Sequence, residues 1–121
     1  MASDVERRWK RIADDLRTTT GHVLVLNPHP KPDDWWDFDV SLDQTRKGSF
    51  GRVFSADEEE FVVQLADYLC DSFLHEEIWG GWPICPDHGT HPLEPSLDEA
   101  AVAVWRCPIG RVIARVGFLH P

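Results

Sequence analysis

Residues 36–42, W-D-F-D-V-S-L, decide the fold class of this chain. Trp36, Phe38, Val40 and Leu42 alternate with Asp37, Asp39 and Ser41, the period of two that marks a strand with one buried and one wet face. The segment D-Q-T-R-K-G-S turns the chain, and S-F-G-R-V-F at 49–54 returns beside it, so an antiparallel hairpin is the economical pairing. Upstream, H-V-L-V-L-N (22–27) reads as a short apolar strand. The P-H-P-K-P-D-D that follows reads as an extended loop, because three prolines remove backbone donors.

Helical periodicity flanks this hairpin on both sides. From Ser3 to Thr18, Val5, Trp9, Ile12 and Leu16 fall on one stripe, Ser3 and Glu6 form a capping-box pair, and Gly21 stops the helix. From Ser55 to about His75, the residues Val62, Val63, Ala66, Leu69, Cys70, Phe73 and Leu74 make a broad apolar stripe. Ser55 and Glu58 offer a second capping box, and Asp57 to Glu60 suit the helix N-terminus. Cys70 then reads as a buried core thiol. Two more strands, 101–107 and 111–119, are joined by the tight link P-I-G. The reading is α+β: one small domain spanning 1–121, with two helices and about five short strands in two antiparallel hairpins.

Composition narrows the function classes. At 121 residues and 42% hydrophobic the chain suits one modest core. No apolar run approaches the roughly 18–20 residues that span a bilayer, and M-A-S-D-V-E-R-R-W-K lacks the apolar region of a secretory signal. A cytoplasmic location is expected. Three cysteines in a reducing compartment point away from a disulfide framework. The net charge is −9, and residues 33–99 alone carry 17 acidic and three basic side chains. Such a middle repels phosphate backbones, which argues against nucleic acid and anionic membranes. The plainer reading is that the acids keep the protein soluble, and the sharper one is a face that meets a basic protein; another protein is the expected partner.

The chemistry sits in C-P-D-H-G-T-H-P and in W-R-C-P-I-G. Cys85, His88, His91 and Cys107 have the spacing C-x2-H-x2-H-x15-C. Zinc takes four thiolate or imidazole ligands in a tetrahedron, and two-residue gaps let several come from one turn. Cys107, at the tip of the last hairpin, would close the cage from the far side and make residues 79–119 a zinc-ribbon-like part. With only three of these ligating, a water would occupy the fourth position, and Asp87 or Glu94 would be the nearest general base of a small zinc-dependent hydrolase.

The run W-P-I-C-P-D-H-G-T-H-P-L-E-P followed by V-A-V-W-R-C-P resembles a pattern in small uncharacterised proteins, mainly from actinomycetes. Their C-terminal halves read W-P-x-C-P-x-H-x-x-H-P-L and then W-x-C-P. The resemblance covers residues 82–108 and implies that the two cysteines and two histidines belong together; it implies no activity.

Other residues are weaker candidates. Trp35, Trp79 and Trp82 could contact a ligand or partner, Trp35 because it should face water when Trp36 faces the core. Trp105 is expected to pack beneath the zinc loop. His75, Glu76 and Glu77 read as a frayed helix end rather than a second metal site, and His22 and His29 have no obvious partners. No nucleophile–base pair, phosphate-binding glycine loop or dinucleotide fingerprint is present. The sequence therefore points to a non-enzymatic binding or adaptor module, with an immunity- or antitoxin-like inhibitor of a basic enzyme as the alternative.

Overall fold

The computed structural model describes residues 2–54, 57–78 and 81–121. It is α+β, with two helices and six strands in two antiparallel sheets. Helix α1 (Ala2–Thr20) buries Val5, Trp9, Ile12 and Leu16, as its periodicity requires. It ends where Gly21, at φ +83°, donates its N–H to Arg17 O at 2.9 Å. The Ser3 side chain expected to cap the helix is outside the described set.

The first sheet is a meander of β1 (Leu24–Lys31), β2 (Trp35–Leu42) and β3 (Thr45–Phe54). Two expectations need correction here. The proline segment after residue 27 is strand rather than loop, because β1 is an edge. Asp43 N donates to Val23 O, so odd-numbered residues of β1 turn their main-chain groups toward β2, while Pro28 and Pro30 turn theirs outward. The 43–49 turn is also shorter than expected. Asp43 and Gln44 both adopt left-handed φ, which closes a two-residue hairpin and starts β3 at Thr45.

Helix α2 is regular over Glu58–Leu69, widens into a π-helical turn over Cys70–Leu74 and closes with a last turn at His75–Glu77. Ser55, the expected cap, lies outside the described residues. Asp57 does the work, its carboxylate accepting from Glu60 N at 3.1 Å. Phe61, Val62, Leu65, Ala66, Leu69 and Leu74 are buried, each contributing about 1.5–3 kcal/mol for the larger side chains. Cys70 is only partly buried, at the margin of this core.

The second sheet joins β4 (Glu94–Leu97), β5 (Ala103–Arg106) and β6 (Val112–Arg115). Strand β4, paired with β5 from Glu94↔Arg106 to Leu97↔Ala103, lies outside the five strands expected from the sequence. The last strand is shorter than 111–119, because Gly117 at φ +107° turns the chain after Arg115. Trp105 is fully buried between this sheet and α1, and one continuous core holds both sheets and both helices.

Candidate metal centre

The centre is built from two Cys-Pro turns that face each other. In the first, Cys85 N donates to His91 O at 2.9 Å and Gly89 N to Cys85 O at 2.7 Å. Gly89, at φ +72°, reverses the chain after His88 and so brings His91 back to Cys85. A bridge between Ile84 and Pro92 and a bond from Leu93 N to Pro83 O (2.6 Å) close the base of this loop. In the second turn, between β5 and β6, Cys107 N donates to Arg111 O at 3.0 Å and Gly110 N to Cys107 O at 3.1 Å. A Cβ at Gly110 would lie 3.2 Å from Cys107 Sγ, so a side chain there would push the sulfur by a few tenths of an ångström.

These turns bring Cys85, His88, His91 and Cys107 together, with one ligand atom from each and all four atoms within 4.8 Å of one another. His88 Nδ1 is 3.3 Å from Cys85 Sγ and 3.4 Å from Cys107 Sγ, and His91 Nε2 is 3.2 Å from Cys107 Sγ. Metal–sulfur bonds of about 2.3 Å and metal–nitrogen bonds of about 2.0 Å give a tetrahedron with edges of roughly 3.3–3.8 Å. The observed spacings therefore suit one cation at the centre, and the cluster could hold a metal ion. Both cysteines are buried, whereas His88 is exposed and His91 half-buried.

The electrostatics of the sulfurs are asymmetric. Burial pushes the Cys85 thiol up. Hydrogen bonds from the His88 side chain, from the His88 and Asp87 N–H groups and from Cys107 outweigh it, and the net direction is down. Burial also raises Cys107, the Ile109 N–H opposes it, and the adjacent Cys85 adds to the rise, so Cys107 ends above its ordinary value. One thiolate thus discourages the second, and a cation between them removes that conflict.

No family model, curated protein or solved structure matches this chain. Its own geometry must carry the reading.

Around the cluster, several supports had no clear signal in the sequence. Arg111, just past the second turn, grips Asp87 in the first through Nε to Oδ2 (3.0 Å) and Nη2 to Oδ1 (3.1 Å), tying the two turns together. Asp15 is a buried carboxylate that accepts from Trp105 Nε1 (2.8 Å), Gly117 N (2.7 Å) and Leu119 N (3.0 Å). Burial raises its pKa, and those three donors only partly oppose the rise. Arg11 clamps Glu59 through both terminal nitrogens (2.8 and 3.0 Å) and donates from Nε to Val116 O, while Glu59 also accepts from Ala103 N. The available hint was Asp15 itself, a lone acid beside Ile12 and Leu16 on an otherwise apolar stripe.

The aromatic candidates separate. Trp82 is buried: its indole donates to Thr19 Oγ1 at 2.9 Å and meets Trp105 edge-on at 5.3 Å, so both tryptophans lie between the cluster and α1. Trp35 is 38% exposed and packs edge-on against Phe54. Trp79 lies outside the described residues. Both histidines expected to lack partners have one: His22 Nδ1 is 2.6 Å from Asp43, and His29 Nε2 is 2.8 Å from Asp39, which also accepts from Arg46. Asp43 and Asp39 are positioned by the hairpin register, which a linear reading does not supply. His75, Glu76 and Glu77 are exposed, and no metal-type cluster other than the one above occurs among the described residues.

Proposed function

We propose that Cys85, His88, His91 and Cys107 hold one structural zinc ion, and that the protein is a non-enzymatic protein-binding or adaptor module of the cytoplasm. The supporting observation is the convergence of four ligand atoms within 4.8 Å from two separate Cys-Pro turns. Two thiolates and two imidazoles are a donor set that favours zinc over the oxygen-seeking cations. Four protein ligands leave no position for a reacting water, which favours a structural over a hydrolytic role.

The ion would staple the proline-rich loop to the β5–β6 hairpin in the manner of a zinc ribbon, supplementing a small core. Elemental analysis of purified protein tests this: one equivalent of zinc is expected, falling to a small fraction in Cys107→Ser. Metal-free wild type that folds normally, or a variant that keeps its zinc, would refute it. Hydrolytic activity of the wild type that His91→Ala changes while fold and metal are retained would favour the metalloenzyme.

The acidic surface supports a basic partner, such as an enzyme that this protein inhibits. Asp67, Asp71 and Glu94 have no ion pair among the described residues, and burial together with the charges of Asp71 and Glu94 raises the Asp67 pKa. Such unneutralised charge speeds encounter with a basic surface. Capture from host extract at low and high salt tests it, and a partner set without a salt-sensitive basic protein would count against the idea.

A further inference from the structure

A cavity of about 520 Å³ lies between the cluster loop, strand β6, the end of α1 and the C-terminal residues. Its size falls in the range of small-molecule sites. Ile78, Trp82, Ile84, Ile113, Ala114 and Leu119 give it an apolar wall. The two hydroxyls on the wall are already committed. Thr19 Oγ1 donates to Asp15 O and accepts from the Trp82 indole, and Thr20 Oγ1 donates to Leu16 O and accepts from His22 N. The interior therefore offers a ligand contact area and no free hydroxyl.

The other polar side chains on the wall are those of Arg111 and His120, both exposed. Arg111 meets Asp87 side-on through Nε and Nη2, which leaves Nη1 without a partner among the described residues. Of the three arginines in residues 100–121 only Arg111 lines the cavity, and no acidic side chain does, in a chain whose net charge is −9. An anion is thus admitted at this end and disfavoured over the acidic middle of the chain.

We infer that this cavity binds a small amphipathic carboxylate, with its apolar body against Trp82 and Ile113 and its carboxylate on Arg111 Nη1. The half-open cavity of small-molecule size, with one Arg111 nitrogen left to donate at its edge, favours a small molecule over an extended peptide. The inference leans on the proposed metal reading only in that the Cys85 loop forms one wall, so zinc content is measured alongside binding.

Calorimetric titration of the intact purified chain with octanoate and with octan-1-ol tests it. Octanoate is expected to bind with 1:1 saturation, at least about tenfold tighter than the alcohol. Arg111→Gln should remove that preference, with zinc content measured alongside to show that the turns it ties to Asp87 stay together, and Ile84→Asp, at a partly exposed position on the wall, should abolish uptake of both. No saturable octanoate binding to zinc-replete wild type would overturn the proposal, as would equal affinities for acid and alcohol. An acidic, leucine-containing peptide that binds here while octanoate does not would overturn it in favour of a protein occupant. Loss of zinc in wild type, by contrast, would refute the metal reading and not this one.

Discussion

Removing the Asp15 carboxylate should be among the most destructive changes a single polar side chain can undergo here. Asp15→Ala strands three donors: Trp105 Nε1, on a fully buried residue, and the N–H groups of Gly117 and Leu119, on half-buried ones. A buried donor left without an acceptor costs about 1–3 kcal/mol. Water can reach the two main-chain donors more easily than the indole, and removing a carboxylate that burial already disfavours returns part of the loss. The net expectation is about 2–4 kcal/mol, a large share of a typical stability of about 5–15 kcal/mol.

Urea unfolding followed by tryptophan fluorescence, in zinc-containing buffer, measures it. Asp15→Asn keeps one carbonyl acceptor, so about half the loss should return. Because the folded pKa of Asp15 is raised, its titration contributes stability that is complete below the unfolded value, near 3.8, and is lost as pH rises through the folded value. The advantage of wild type over the non-titrating Asn variant should therefore shrink as pH rises through that window. An Ala variant within about 0.5 kcal/mol of wild type, or an advantage that grows with pH there, would refute the reasoning.

Glu59 should behave in the opposite sense. Its hydrogen bonds from Arg11 hold its pKa below the usual 4.5, so the stability it adds is present above that value and lost as pH falls through the folded pKa. Glu59→Gln should cost about 1 kcal/mol at neutral pH after solvent screening, and nearly nothing in acid, by urea unfolding at two pH values. Asp57→Ala, which removes the α2 cap, should cost about 1 kcal/mol in the same assay and leave zinc content unchanged. Gly110→Ala crowds Cys107 Sγ and should weaken zinc retention about tenfold or more against a competing chelator, with the cores of both sheets intact.

The parts of the fold that were legible in sequence share one property: their signal is periodic and local. The Val5–Leu16 stripe, the 36–42 alternation and the α2 stripe each encode a buried face within a dozen or so residues. The four cluster residues were legible for a related reason, since short spacing on Cys-Pro turns is itself a local signal. What escaped depends on pairing between distant segments. Proline argues against a strand only when its nitrogen must face a partner, and nothing in P-H-P-K-P or L-E-P-S says that those stretches lie at sheet edges. The roles of Asp15 and Arg111 follow from partners about 90–104 and 24 residues away, respectively. Trp82 read as a contact candidate because bulk and aromaticity do not distinguish a surface from a core.

The prolines in β1 and β4 have a consequence for the protein at high concentration. In β4, Asp98 N donates to Val102 O, which fixes the phase that turns Pro95 outward, as Pro28 and Pro30 are turned outward in β1. An exposed edge ordinarily presents alternating donors and acceptors on which another chain can polymerise. Here one outer edge of each sheet lacks donors at those positions, so edge-to-edge growth from either would meet a gap in its ladder. The same residues that disguise these strands in the sequence disfavour strand addition at the β1 and β4 edges.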